Sequence, residues 1–316
     1  MRPVRKEPVK VVFVIPPLVH LLDITGPAHI FYEAACYEAP VSLYFTNLQA
    51  SDKSIISSSH LMLGGLVDYH TLDLHKGDLV FVPGLEASLL LNEEFLRGSS
   101  RPFQEWLTSQ HRNGVMICSV CTGAYLLAEA GLLDNRPSTT HWKYLDRFAR
   151  RYPETLVQHN RLFVHSEGIY TSAGVASGID LSLFLLEELF GSRMAASIAK
   201  EVVVYMRRTE TDPQLSAFLQ YRNHLDDRIH KAQDILAQSL DKKVNIEQLA
   251  EQVHMSGRNL TRLFRKTTRI SISQYVGKLR ADRAQQLRKE GHTMQTIAAS
   301  IGLKSTNQLR QLLKNS

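Results

Sequence analysis

Residues 246–270, IEQLAEQVHMSGRNLTRLFRKTTRI, decide how the last third of this 316-residue chain folds. Ile246, Leu249, Ala250 and Val253 fall at i, i+3, i+4 and i+7, the spacing of one buried helix face. After a short polar turn, Leu260, Leu263 and Phe264 mark the inward face of a second helix. The pattern returns 48 residues later in MQTIAASIGLKSTNQLRQLL (294–313), with Met294, Ile297, Ala298 and Ile301, then Leu309, Leu312 and Leu313. Two helix-turn-helix units are therefore expected on one polypeptide.

Between them runs SISQYVGKLRADRAQQLRKE (271–290), where Ser271 and Gln274 have capping-box spacing and Val276, Leu279, Ala284 and Leu287 recur at helical intervals. A helix of about 20 residues spans roughly 30 Å. That is close to the roughly 34–36 Å between successive major-groove faces on one side of B-DNA. The outward residues of the first unit, Arg258, Asn259, Thr261, Arg262 and Arg265, are donors suited to base edges and phosphates. The outward set of the second unit is Ser305, Thr306, Asn307, Gln308 and Arg310.

Charge points the same way. Between Leu225 and Ser316 there are 17 Lys and Arg against 8 Asp and Glu, a net +9, so residues 1–224 carry −3 of the chain's +6. Phosphate binding needs such a cation excess, and a helical interaction bundle with a basic surface does not.

The strings LAEQVHMSGRNLTRLFRKTTRISISQYVGKLRADRAQQL and IAASIGLKSTNQLRQLLK resemble the DNA-binding domain of AraC/XylS-type transcription regulators. The Leu-Ala, Met-Ser, Arg-x-Leu-x-Arg-x-Phe and Ile-Ala-x-x-x-Gly steps carry the resemblance. Where that family usually has Gly and Pro after the first recognition helix, this chain has Arg269 and Ile272, and Leu303 replaces a usual Phe. Members of the family normally continue into a further short helix beyond the position of Ser316. The second unit is therefore expected to be weakly held, and the first to dominate readout.

The first two-thirds alternates short apolar runs with helical stretches: VKVVFVI, a helix near Ala28 to Tyr37, VSLYFT, DLVFVPG, a helix around Phe103 to Arg112, VMICSV, and a helix from Thr122 to Ala130. RLFVHS, IYTSAG and IDLSLFLLEELF follow. Continuous apolar strands separated by helices imply an α/β domain with a mostly parallel, flavodoxin-like sheet covered by helices on both faces. An all-α domain with two helix-turn-helix units joined by a long helix would follow it. The expected boundaries are 9–208 for the first domain, 209–224 for a linker and 225–316 for the second. The linker mixes charge with Pro213, and Phe218, Leu219 and Tyr221 are expected to dock it on the first domain.

Ligands of such sheets bind at the carboxyl ends of the strands. Three segments converge there: Asp23, Thr25, Gly26 and Pro27 after the first strand, Gly84 after DLVFV, and Cys121 and Thr122 after VMICSV. Cys121 lies where a nucleophile elbow would present a thiol at a helix N-terminus. Three readings stay open for it: a catalytic nucleophile, a redox sensor, or a polar wall of a ligand pocket. Asp23 is placed to cap a helix starting near Gly26 and Pro27, and can do so while still lining the pocket. His141, in the Thr-Thr-His-Trp run, is either a structural histidine or a pocket group. Cys118 and Cys121 form a Cys-x-x-Cys string, but one lies inside an apolar strand and the other at its end, against a dithiol site. Histidines 159, 165 and 254 show no metal-ligand spacing, so no metal and no cofactor are expected. Three cysteines and no apolar run of spanning length suit a cytoplasmic protein without signal peptide or membrane span.

LLDITGP, VCTGAYLLAEAGLLDNRPSTTHW and TSAGVASGIDLSLFLLE resemble the ThiJ/PfpI superfamily, and more closely its GlxA-type branch, which fuses that fold to an AraC-type domain. The resemblance implies a transcription regulator that binds a small nitrogenous metabolite, an amino acid or quaternary amine, through Asp23, Thr25, Gly26, Pro27, Gly84, Cys121, Thr122 and His141. Promoter double-stranded DNA, RNA polymerase and a second copy held through the N-terminal domain are the implied partners, and activation the implied outcome. The competing expectation is a cysteine-dependent hydrolase, hydratase or deglycase using Cys121. Hydrolytic members of the superfamily commonly place His where this chain has Thr122, which counts against it.

Overall fold

The computed structural model describes residues 7–49, 53–204, 208–210, 214, 216, 220–222 and 224–314. The chain divides into two compact units, Met1–Gln214 and Leu215–Ser316. The first contains β1 (Val9–Ile15), α1 (Leu21–Cys36), β2 (Val41–Asn47), β3 (Ser54–Ile56), β4 (Met62–Gly64), β5 (Leu79–Val82), α2 (Ala87–Leu90) and α3 (Arg101–Arg112). It continues through β6 (Met116–Val120), α4 (Ala124–Glu129), β7 (Pro137–Ser138), α5 (Leu145–Arg151), β8 (Leu156–Val157), β9 (Phe163–Ser166), β10 (Ile169–Ser172), α6 (Ser177–Phe190) and α7 (Ser192–Glu201).

Among the described residues the main sheet has six strands in the order β2-β1-β5-β6-β10-β9, with only β9 antiparallel to its neighbour. The alternation in β1 shows why it forms a doubly covered sheet. Val11, Phe13 and Ile15 join the layer containing α1, α6 and α7, whereas Val12 and Val14 join the layer containing α3, α4 and α5. Side chains alternate across a strand, so a strand buried on both faces must be apolar throughout. Phe13 stacks on Phe45 and Phe81 with ring centroids 5.5 and 5.1 Å apart, adding roughly 0.5–1.5 kcal/mol per pair beyond burial. The order reverses at β1 and β5, so the carboxyl ends of these strands open a crevice.

Several boundaries differ from the sequence expectation. Helix α1 begins at Leu21 rather than near Ala28, because Pro16 and Pro17 end the strand early and the turn is completed before residue 21. Asp23 to Pro27 are thus in the helix, not in a loop. Residues 121–123 form a 3-10 turn ahead of α4. The β3–β4 hairpin, the short β7–β8 pair and α7 have no counterpart in the sequence reading, their apolar runs being too short to declare a period.

The second unit contains α8 (Asp227–Gln238), α9 (Ile246–Gln252), α10 (Gly257–Thr268), α11 (Ile272–Lys289), α12 (Met294–Ser300) and α13 (Thr306–Lys314). Helix starts are written locally. Asp226, Asn245, Ser256, Ser271 and Thr293 each accept a backbone N–H of the first turn, and Ser271 with Gln274 completes a capping box. The 18 residues of α11 span about 27 Å. Its first half, through Tyr275, Val276 and Leu279, packs into the core of the first helix-turn-helix unit. Ala284 and Leu287 pack into that of the second.

Loop 239–242 ties the two helix-turn-helix halves of the second unit together. The Arg280 guanidinium donates to the carbonyls of Leu240 and Lys242, both at 2.9 Å. A Cβ on Gly302 would run into the carbonyl of Asp241, and Gly302 also has φ +71, so glycine is required there twice over.

Of the residues expected to dock the linker on the first domain, Phe218 and Leu219 lie outside the described residues. Tyr221 belongs instead to the second unit, edge-on to Tyr275 at 6.0 Å, because the Gln233 side chain holds its carbonyl. Residues 208, 210 and 214 make polar contacts with the rest of the first unit. Arg208 pairs with buried Asp180, Glu210 with His165, and Gln214 donates to Thr139 Oγ1 and the Thr140 carbonyl. Among the described residues, no helix is long and apolar enough to cross a membrane.

Candidate functional site

The elbow is assembled from four strand ends. Cys121 follows β6 with φ +58, the left-handed conformation that L side chains rarely adopt. Gly123 behind it allows the turn to pass close to β5, since a Cβ there would run into the carbonyls of Val82 and Pro83. Asp23 comes from the first turn of α1 and is almost wholly buried. Its carboxyl accepts the Gly84 N–H at 3.1 Å and the Val175 N–H at 2.9 Å, and the Cys121 thiol hydrogen-bonds to it. The cap reading of Asp23 is thereby replaced. The carboxyl turns away from its own helix because two amides, 61 and 152 residues away in sequence, converge on it.

Two glycines close the elbow. A Cβ on Gly84 would fall 2.9 Å from Cys121 Cβ and on Asp23 Oδ2, and one on Gly174, at φ +101, would fall 2.6 Å from Cys121 Cα. Cys121 is consequently 4% exposed. Burial, then the Asp23 charge, pushes its pKa well above the ordinary value, and burial also raises the Asp23 carboxyl. Such a thiol stays protonated, the opposite of the thiolate that covalent catalysis needs.

The other expected residues separate around this pair. The Thr122 hydroxyl is spent on Leu85, accepting its N–H at 2.8 Å and donating to its carbonyl at 2.9 Å. Thr140 donates to the Cys121 carbonyl at 2.8 Å. Its neighbour His141 starts a 3-10 turn, its ring accepting the Lys143 N–H, and burial holds its pKa low. Thr25, Gly26 and Pro27 are not brought to the thiol. Thr25 is exposed and bonds to the Leu21 carbonyl, while Gly26 packs on Ile179 and Pro27 against Gly178 of α6.

Sequence reasoning missed His20, which lies near enough to Asp23, His141 and Glu86 to act on all three electrostatically. It also missed Gly174 and Val175. The SAG step after β10 was the available signal, but nothing local tied it to Asp23.

In the second unit, Arg258, Thr261, Arg262 and Arg265 line one open cleft of about 830 Å³ along α10, together with Lys266 and Arg269. Arg258, Arg262, Arg265 and Arg269 recur at i, i+4, i+7 and i+11, a single stripe that was legible in the sequence. Asn259 sits beside the cleft and accepts from Arg262 at 3.5 Å. Glu247 lines the cleft as well, its carboxylate against Gly257, where it complements the positive end of α10. Among the described residues no carboxylate forms an ion pair with the five cations. A surface that leaves them unneutralised suits a polyanion.

The second recognition helix is used differently. Ser305 accepts the Gln308 N–H at 3.3 Å, and Gln308 Oε1 accepts the Lys304 N–H at 2.9 Å, so both side chains serve the helix start. Thr306 is half-buried, and Arg310 donates to Asn307 at 3.0 Å on the exposed face.

Comparison with known proteins accounts for both units. Residues 9–188 match the DJ-1/PfpI family, and residues 249–315 match a helix-turn-helix domain. The chain is 31% identical over 217 residues to the HTH-type transcriptional regulator CdhR of Pseudomonas aeruginosa, covering 69% of this chain and 62% of that one. It is 33% identical over 215 residues to the HTH-type transcriptional regulator GbdR of the same species, covering 66% and 57%. The chain thus spans about three-fifths of the length of these relatives. An isonitrile hydratase of Pseudomonas putida is 30% identical over 185 residues, 57% of this chain and 71% of that one. A ThiJ/PfpI family protein from Pseudomonas syringae superposes with TM-score 0.55 at 20% identity, covering 73% of this chain and 87% of that one, and shares the fold. The chain belongs to the DJ-1/PfpI family and carries, fused behind that domain, a helix-turn-helix domain of the AraC type.

Proposed function

We propose that this chain is a DNA-binding transcription regulator whose DJ-1/PfpI domain senses a small molecule. The observation that carries the reading is the open cleft along α10, lined by five cations and attached to a second helix-turn-helix unit through one 18-residue helix. Promoter double-stranded DNA is the proposed partner, read by Arg258, Asn259, Thr261, Arg262 and Arg265, with Ser305, Thr306, Asn307, Gln308 and Arg310 as a lesser second contact. The relatives named as transcriptional regulators support it.

The proposed effector is a small nitrogenous metabolite of the amino-acid or quaternary-amine class, bound at the crevice of Asp23, Gly84, Cys121 and His141. Carboxyl groups at Asp23 and Glu86 beside it favour a cationic ligand. Asp23 and the thiol are buried, so an effector that touches them must part the Gly84 and Gly174 loops. A ligand shifts an equilibrium only through its differential affinity for two states, and a closed and an opened elbow supply two such states. Self-association through the N-terminal domain, recruitment of RNA polymerase, activation and a cytoplasmic location complete the proposal. Leu22, Tyr32, Ile56, Leu61 and Met62, exposed apolar residues on α1 and around the β3–β4 hairpin, support the self-association.

The second reading is a cysteine-dependent hydrolase, hydratase or deglycase fused to a DNA-binding domain. It is favoured by the hydrogen bond between Asp23 and Cys121 and by the hydratase relative. The buried, protonated thiol weighs against it.

The test uses the full chain. Its binding to labelled duplex DNA across a salt series is expected to weaken linearly in log–log form; absence of salt-dependent binding would overturn the regulator reading. A panel of amino acids, amines and betaines, followed by thermal shift, is expected to yield a stabilising ligand that is not consumed. A ligand consumed by the wild type and spared by Cys121→Ala would establish the enzyme instead.

A further inference from the structure

We infer that Arg269 is a phosphate-contacting residue of the DNA interface, held at a position whose backbone geometry favours glycine. The inference rests on the regulator reading above and adds a residue to its interface. Arg269 ends α10 with φ +67 and ψ 0, its N–H bonded to the Arg265 carbonyl at 2.9 Å. This left-handed C-terminal cap is where helices place glycine, because a Cβ is strained there. Arg269 is exposed, and among the described residues its guanidinium forms no hydrogen bond or ion pair.

The side chain does contribute to the cleft. Arg269 lines the same 830 Å³ space as Arg258, Arg262, Arg265 and Lys266 and extends their stripe past the last turn of the helix. A guanidinium at that end sits beyond the base-reading first turns, where contacts reach the sugar-phosphate backbone. A cation at a helix C-terminus also complements the macrodipole, which supplies the competing, purely structural role. The two roles separate in Arg269→Gly. Glycine removes the strain and the cation together, whereas Arg269→Lys keeps the charge.

The experiment is anisotropy of the full chain against a fluorescein-labelled, random-sequence 40-base-pair duplex at a series of salt concentrations, with thermal unfolding of each variant. Random sequence isolates phosphate contacts, so no operator is needed. Arg269→Gly is expected to melt at a higher temperature yet bind more weakly, with the slope of log K against log salt reduced by about 1. Arg269→Lys is expected to retain the wild-type slope. Unchanged affinity and slope in Arg269→Gly would overturn the inference, as would an equal loss of slope in both variants. A wild type without salt-dependent binding would instead sink the regulator reading itself.

Discussion

Two left-handed residues sit at the two candidate sites, and their surroundings are opposite. Cys121 is closed in by Gly84 and Gly174, its thiol bonded to a buried carboxyl. Arg269 stands exposed at the end of α10 beside four other cations. At the elbow, strain is held by packing from four strand ends, and burial raises the pKa of both acids. At the cleft, packing ends with the helix, and the cations are left for a partner to neutralise. The contrast separates a closed site from one already presented, the pairing that the proposed sensor and DNA reader would need.

The largest expected effect breaks the closed side. Gly174→Ala would place a Cβ 2.6 Å from Cys121 Cα at φ +101. It is expected to cost roughly 3 kcal/mol of stability through overpacking and backbone strain. Urea unfolding measures this, and a loss below about 1 kcal/mol would mean that the elbow is not closed as described.

On the open side, Arg262→Ala is expected to leave stability nearly unchanged while costing about 1–3 kcal/mol of operator affinity if it reads a base. Wild-type affinity and specificity in a selected-site binding assay would remove α10 from readout. Arg310→Ala, on the sparser second helix, is expected to cost less than about 1 kcal/mol in the same assay. A larger loss there than at Arg262 would reverse the ranking of the two units.

The smallest effect concerns protonation. Burial raises the Asp23 carboxyl above its ordinary value of 3.8, so the folded chain holds that proton more tightly than the unfolded chain. Stability from this group is complete below the ordinary value and is lost as pH rises through the raised one. Asp23→Asn is therefore expected to flatten the fall in unfolding free energy as pH rises above the ordinary carboxyl value of 3.8. Parallel wild-type and variant curves would show that Asp23 titrates as it does when unfolded.

By itself the sequence determined the alternation of strands and helices, the two helix-turn-helix units, the capping box at Ser271 and Gln274, and the cysteine at a strand end. These are written within a few turns of chain, as apolar periods and caps, and local hydrogen bonding and side-chain alternation suffice to realise them. Tertiary structure decided what the polar residues do. Asp23 reads as a helix cap until Gly84 and Val175 reach it from distant loops. Thr122 reads as a pocket wall until Leu85 takes both functions of its hydroxyl. His20 enters the site only because β1 and α1 bring it to the crevice. Whether Cys121 is a thiolate or a thiol depends on burial by glycines more than fifty residues from it in one case. Desolvation and long-range hydrogen bonds are properties of the packed state, and no local pattern of residues encodes them.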